Sequence, residues 1–297
     1  MTSRDQLARN LVVFAGMPRT ASTSLFHILG GHPGIFRPFR KEVGFFLFNH
    51  HRPERWYLQA YAGATPEQRC IDVTPEYFFS PKVVRRIAAF GEGVRVVIGV
   101  RDPASFARSL YAEYGKRYRM PLFEDFVNSY SYARGSERIE FSLASGAIRT
   151  MIERYAREIP GGVLFYDFSA FQRDPLVVLN AIESFAGVEP YFTAATFQNV
   201  RMNDRDRHTN RWVSSLLSAE PLIDAASRLL PARAMRAIAR RVYRGGSTSK
   251  APAAPREEPP APLWLREALH ADEAFIRQLF DGRAVHLTGG SSVTSHR

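Results

Sequence analysis

Cysteine is almost missing from this 297-residue chain: Cys70 stands alone. A single thiol excludes a disulfide framework and favours a reducing, cytoplasmic setting. Long apolar runs are missing too. Stretches such as Val96 to Val100 fall far short of the roughly 20 residues that span a bilayer. Near the start, Arg4, Asp5 and Arg9 precede an apolar run that reaches only from Leu11 to Met17, which does not make a signal peptide. Eight histidines are scattered, and none has the paired spacing of a zinc site on a helix. Acidic residues are in deficit: Lys+Arg of 40 against Asp+Glu of 29 leaves a net charge of +11. That excess suits an anionic partner, whether nucleic acid, membrane surface, acidic polysaccharide or charged nucleotide. Lysine is confined to Lys41, Lys82, Lys116 and Lys250. The basic set is therefore arginine, whose planar fork matches phosphate and sulfate, although GC-rich coding enriches arginine equally well.

What remains is ordinary globular material. Hydrophobic residues make up 45% and charged residues 23%, which excludes wholesale disorder. At this length a folded chain buries roughly 75% of its unfolded surface and needs no staples. The run Leu11 to Gly16 reads as a buried strand; it stops at Met17-Pro18, and Leu25, Phe26, Ile28 and Leu29 then follow at helical spacing until Gly30-Gly31. Val94 to Val100 repeats the pattern, passing through Arg101-Asp102-Pro103 into a helix from Ala104 to about Tyr118. Gly162 to Tyr166, with a helix from Pro175 to Phe185, repeats it again. Strands alternating with helices predict an α/β fold with a central parallel sheet flanked by helices. Beyond Trp212 the pattern turns to helices only, with a flexible loop at 245–262 and a last helix from Trp264 to Phe280. We read one domain over 1–297, with an α/β core at about 10–190 and a helical region at about 191–297.

Two strand ends carry the chemistry. The turn Arg19-Thr20-Ala21-Ser22-Thr23-Ser24 sets hydroxyls and one guanidinium at the start of a helix. The first backbone N–H groups of a helix lack partners and favour an anion, so this is a phosphate or sulfate cradle. A plain hydroxyl cap explains the same residues. The turn is not the nucleoside-triphosphatase motif G-x-x-x-x-G-K-S/T, which needs a lysine and a second glycine. Arg101-Asp102-Pro103, with Arg108 and Ser109 further along, stands at a second strand end. In an open parallel sheet ligands bind at the carboxyl ends of strands, where both loops would meet. A local ion pair between Arg101 and Asp102 is the competing explanation.

Together these residues resemble the sulfotransferases that use 3′-phosphoadenosine 5′-phosphosulfate (PAPS). Pro18 to Thr23 is similar to their 5′-phosphosulfate loop, in the arginine form of the protein-tyrosine enzymes. Val100 to Pro103, with Ser109 and Tyr111, is similar to their 3′-phosphate motif. Lys41 to Phe46 resembles the K-E-V-x-F-F segment of the heparan sulfate enzymes, and Asp72 to Phe78 their K-T-P-x-Y-F segment. The similarity runs from about Val12 to Val188, with a weaker echo after Trp264. It implies a P-loop-like three-layer fold, PAPS as donor and PAP as product. Arg19, Thr20, Ala21, Ser22, Thr23 and Ser24 would hold the phosphosulfate, and Arg101 and Ser109 the 3′-phosphate. Glu42 would be the base, with Arg19 stabilising the departing charge, and no metal would be required. Three positions depart from the pattern. Ala21 replaces a glycine, so its turn must avoid positive φ or bear strain. Val73 replaces a lysine near the reaction centre, so that charge must come from elsewhere. Ile148 replaces an aromatic that often follows the glycine matching Gly146.

The acceptor is expected to be a saccharide, through its hydroxyl or amine. A phenolic or secondary-metabolite acceptor is the alternative, since acceptor loops diverge while donor sites stay recognisable. A P-loop-type small-molecule kinase and a basic nucleic-acid-binding protein are the rival classes. The first lacks its lysine, and the second shows no helix-turn-helix, zinc or RNP pattern, so no nucleic-acid partner is expected. His50, His51 and Asp72 are the alternative bases. Phe45, Phe46, Phe48, Tyr77, Phe78 and Phe79 either wall the acceptor cleft or fill the core. The arginine-rich amphipathic run from Arg228 to Arg244 is a solvated face, or a surface for an acidic chain or peripheral membrane contact.

Overall fold

A computed structural model describes residues 3–135, 137–197 and 261–288 of the chain. Helix α1 (Arg4–Asn10) leads into β1 (Leu11–Gly16), α2 (Ser22–Leu29), β2 (Ile35–Phe36), α3 (Glu54–Gln59) and β3 (Arg69–Val73). A 3₁₀ turn (Pro75–Phe79) precedes α4 (Pro81–Phe90), β4 (Arg95–Val100), α5 (Pro103–Tyr114) and α6 (Phe123–Asn128). The hairpin β5 (Tyr130–Arg134) and β6 (Glu137–Phe141) follows, then α7 (Ala147–Glu158), β7 (Val163–Asp167), α8 (Phe168–Arg173) and α9 (Pro175–Ala186). Helix α10 (Leu263–Phe280) and β8 (Val285–Thr288) complete the described elements.

The helix boundaries follow from local chemistry. At α5 the Asp102 carboxylate accepts from Ser105 N, and Pro103 occupies the first turn, where a missing N–H costs nothing. Asp174 and Pro175 do the same for α9, which Gly187 ends in the left-handed conformation at φ 69°.

The sheet order is β2-β3-β1-β4-β7-β8, parallel except for the β7–β8 pair. Successive strand residues bury on opposite faces. Val13, Ala15, Val96, Ile98 and Phe165 pack with α4, α5, α7 and α10. Val12, Phe14, Val97, Leu164 and Tyr166 pack with α2 and α9. The outcome is the expected three layers. One correction concerns the C-terminal part, which is not helical alone: β8 adds an antiparallel edge to a sheet expected to be parallel. Its mixed sequence Val-His-Leu-Thr carries no helical or buried-strand signature, because an edge strand is only half covered. The Arg228 to Arg244 run and residues 245–260 of the expected loop lie outside the described residues.

The chain leaves β1 towards β2 and β3 on one side, then crosses to β4 on the other. The carboxyl ends of β1 and β4 are therefore the point where strand order reverses, which opens a crevice. Gly99 makes the crossing tight. A Cβ there would lie 2.6 Å from Thr20 Oγ1.

Candidate functional site

The loops after β1 and β4 face a cleft of about 1670 Å³, closed by the 3₁₀ turn, the β5–β6 hairpin and one side of α10. Arg19, Ala21, Ser22, Thr23, Ser24, Glu42, Arg101 and Ser109 all line it. Thr20 does not. It is buried, its hydroxyl donates to Met17 O at 2.6 Å, and its carbonyl accepts from the Tyr166 hydroxyl. Its side chain is spent holding the loop to the sheet.

Helix α2 starts at that loop with Ala21 as its N-cap, which offers no capping side chain. The amides of the first turn therefore stand at an end where the helix dipole favours an anion. Ala21 resolves its departure from glycine by bearing the strain: its φ is 63°. Arg19 at 68° and Glu42 at 60° are also left-handed, and among the described residues only Ser145 and Asp281 join them without being glycine. Such conformations cost on the order of 1–3 kcal/mol each and gather at functional sites.

Arg19 points along the cleft wall, where its Nε donates to Ser109 Oγ at 3.2 Å and its Nη1 lies 3.3 Å from Glu113 Oε2. Ser109 thus turns towards Arg19 rather than towards Arg101. The Arg101 guanidinium donates to Ser105 Oγ at 3.0 and 2.6 Å and to Arg19 O at 3.4 Å, and lies over the Phe168 ring. Asp102 caps α5.

Glu42 lines the same cleft, its N–H tied to Val73 O at 3.0 Å. Lys41 Nζ donates to its Oε1 at 2.8 Å, and Arg134 Nη2 to its Oε2 at 2.8 Å. Burial works to raise its pKa, but the two cations outweigh that and hold it at about 2. Arg134 also donates through Nη1 to Glu76 Oε1 and lies over the Phe48 ring at 4.2 Å. Burial, then repulsion from Glu42, pushes the Glu76 carboxyl up, and its Oε2 is buried without a hydrogen-bond partner. Both Glu76 and Arg134 line the cleft, and neither was singled out from sequence. Lys41 and Arg134 stand beside Glu42 as the positive charge that Val73, buried in β3, does not provide.

The alternative bases fall away on position. None of His50, His51 or Asp72 is among the cleft-lining residues. His50 packs against the Phe45 ring. Asp72 is fully buried and accepts from Thr74, Tyr57 and Tyr77 hydroxyls at 2.8, 3.0 and 3.1 Å. The six aromatics of the Phe45–Phe48 and Tyr77–Phe79 segments are likewise core, not cleft. Ile148 is also core.

Burial lifts Asp72 to about 6, against its three hydrogen bonds. A raised acid favours the fold at low pH: the folded chain keeps a proton that the unfolded chain releases above about 3.9. Its contribution is full below about 4 and lost as pH rises through about 6. Melting temperatures taken at pH 5 and pH 7.5 should favour the lower pH, and Asp72→Asn should flatten that difference. An equal slope in the variant would show that Asp72 does not control it. Glu42 acts in the opposite sense, its stabilisation lost only as pH falls from about 4.5 towards 2.

Comparison with known proteins returns sulfotransferases. The chain is 25% identical over 194 residues to heparan sulfate glucosamine 3-O-sulfotransferase 3B1 of Mus musculus, covering 65% of this chain and 49% of that protein. It is 25% identical over 288 residues to the mouse bifunctional heparan sulfate N-deacetylase/N-sulfotransferase 2, covering 89% of this chain and 31% of that one. The chain thus spans about half the length, or less, of these curated relatives. A solved sulfotransferase from Alicyclobacillus acidocaldarius aligns at a TM-score of 0.47 with 20% identity, over 65% of this chain and 90% of that one. No family model matches.

Proposed function

We propose that this chain, a member of the PAPS-dependent sulfotransferases related to their heparan sulfate branch, moves a sulfuryl group from PAPS to a saccharide hydroxyl or amine. One observation carries the reading: an arginine-and-hydroxyl turn at the uncapped N-terminus of α2 lines one cleft together with an ionised Glu42. Sulfuryl transfer, like phosphoryl transfer, demands in-line alignment and stabilisation of charge on the departing oxygens. Arg19, the α2 amides and the Ser22 and Thr23 hydroxyls bind the phosphosulfate and take up that charge. Glu42 accepts the proton of the attacking group. The scheme assigns no role to a metal. The saccharide acceptor is supported by the Lys41 to Phe46 segment and by the kinship with heparan sulfate enzymes. A cytoplasmic setting belongs to the proposal and rests on the lone thiol of Cys70.

Thermal shift with PAP, ATP and an oligonucleotide tests the class. A ligand that binds only the native state stabilises it by about 2.7 kcal/mol at a hundredfold excess over its Kd. PAP is expected to raise Tm and the other two to do so far less. A larger shift with ATP would move the reading to a kinase, and one with the oligonucleotide to a nucleic-acid binder. Labelled-sulfate transfer over sugars, phenols and amines then reads the acceptor. Turnover of phenols alone would overturn the saccharide.

A further inference from the structure

One guanidinium in the cleft serves two carboxylates, and the proposed chemistry gives a task to only one of them. Arg134, on β5, donates through Nη2 to Glu42 Oε2 at 2.8 Å and through Nη1 to Glu76 Oε1. Glu42 is engaged on both oxygens, since Lys41 Nζ donates to its Oε1 at 2.8 Å. The second oxygen of Glu76, Oε2, is buried without a hydrogen-bond partner. A carboxylate oxygen shut away from water and from donors is costly. Sequence around it gives no structural reason for an acid there, because its neighbours Pro75 and Tyr77 are core residues.

Both ends of the bridge are fixed. The Tyr77 hydroxyl donates to Asp72 Oδ2 at 3.1 Å, and the Tyr77 carbonyl accepts from the Tyr155 hydroxyl at 2.9 Å. On the hairpin side Arg134 lies over the Phe48 ring at 4.2 Å. Arg86 joins the same segments, donating to Phe46 O at 2.9 Å and to Glu137 Oε1 at 3.4 Å. The other titratable groups about Glu76 are Lys41, Tyr114 and Tyr132. The two tyrosine hydroxyls bond each other at 3.1 Å; burial first, and the charge of Glu76 with it, pushes both up, so they stay neutral. Lys41 and Arg134 therefore face Glu42 and Glu76 alone. When Glu42 takes the acceptor's proton, Glu76 leaves one negative charge against the two cations; without it none would remain. Repulsion between Glu42 and Glu76 is mutual, so it favours a proton on either.

We infer that Glu76 is a positioning residue for the transfer: by holding the second arm of Arg134 it divides that cation's charge and makes Glu42 a stronger base. This rests on the sulfotransferase reading above, with Glu42 as its base. Steady-state transfer from PAPS, with an acceptor that the wild type turns over, reads the effect. Glu76→Gln keeps a carbonyl for Arg134 Nη1 and removes the charge. It should lower kcat by about tenfold, since a neighbouring charge alters a carboxylate's basicity by about one to three pKa units and proton transfer expresses part of that. PAP affinity should barely move, and Glu76→Asp, which keeps the charge, should stay more active than Glu76→Gln. The loss should vanish in a Glu42→Gln background, where no base is left to tune. The pH profile adds a readout that a merely structural role would not move. Burial, then Glu42, raises the Glu76 pKa, so wild-type kcat should fall as pH drops through that raised value, and Glu76→Gln should lack this limb. A wild-type profile without the limb would overturn the inference before any variant is made. An unchanged kcat in Glu76→Gln would overturn it by showing that Glu76 already carries a proton. So would a loss undiminished in the Glu42→Gln background, which would make Glu76 act on its own. Wild-type chain that neither bound PAP nor transferred sulfate would remove the donor reading itself, and a wild-type kcat in Glu42→Gln would remove the base on which the inference rests.

Discussion

Glu42→Gln should lower kcat by ~10²–10⁴, the range that general-base catalysis supplies, while PAP affinity barely moves. The substitution keeps the shape of the side chain and removes its basicity. Its setting makes the measurement informative. With Lys41 and Arg134 each 2.8 Å away, the resting carboxylate is held at about 2 and is a weak base. An anionic donor that draws on either cation loosens that hold, and the carboxylate gains basicity where the acceptor arrives. The assay needs a folded variant that still binds PAP, and an acceptor that the wild type turns over. A loss of less than about fivefold would pass the role to Glu76. It shares Arg134, lines the same cleft and keeps one oxygen without a partner.

The turn after β1 that lines the cleft was legible because its determinants are local. A strand, a hydroxyl-rich turn and a helix occupy Leu11 to Leu29 without a break, and the signals of such a unit are short-range. The reversal of strand order then brings Arg101 to that turn, as expected for loops at the carboxyl ends of parallel strands. Arg134 was not legible. It meets Glu42 across 92 residues of sequence, through a hairpin whose strands form a two-stranded sheet of their own. An arginine beside Gly135 in a polar turn looks like surface. Glu76 lay inside a recognised segment, yet nothing in Pro75-Glu76-Tyr77 told that its side chain would share a guanidinium with Glu42. The hydroxyl of Thr20 misled for the reverse reason. Composition placed it with its neighbours in the cradle, whereas the close approach allowed by Gly99 turns it inward.

Arg19→Ala should reduce kcat by ~10²–10³, the loss that follows removal of one preorganised donor to a developing negative charge. Its neighbours complicate the effect on donor binding. Glu113 Oε2 lies 3.3 Å from Arg19 Nη1 and 2.6 Å from Lys116 Nζ, and Arg117 is 3.9 Å from the other oxygen. Burial acts to raise the Glu113 pKa, but Lys116 and Arg19 outweigh it and keep the carboxylate ionised. Removing Arg19 therefore strips a cation and also leaves Glu113 facing the donor with less compensation. The two contributions separate in a double variant. Arg19→Ala with Glu113→Gln should recover the part of PAP affinity lost to repulsion, and leave kcat as low as in Arg19→Ala alone. Arg19→Lys should fall between, because it keeps the charge and gives up the planar fork. Full recovery of kcat in the double variant would mean that Arg19 only neutralises Glu113, and the departing charge would then have to be met by the α2 amides and the Ser22 and Thr23 hydroxyls.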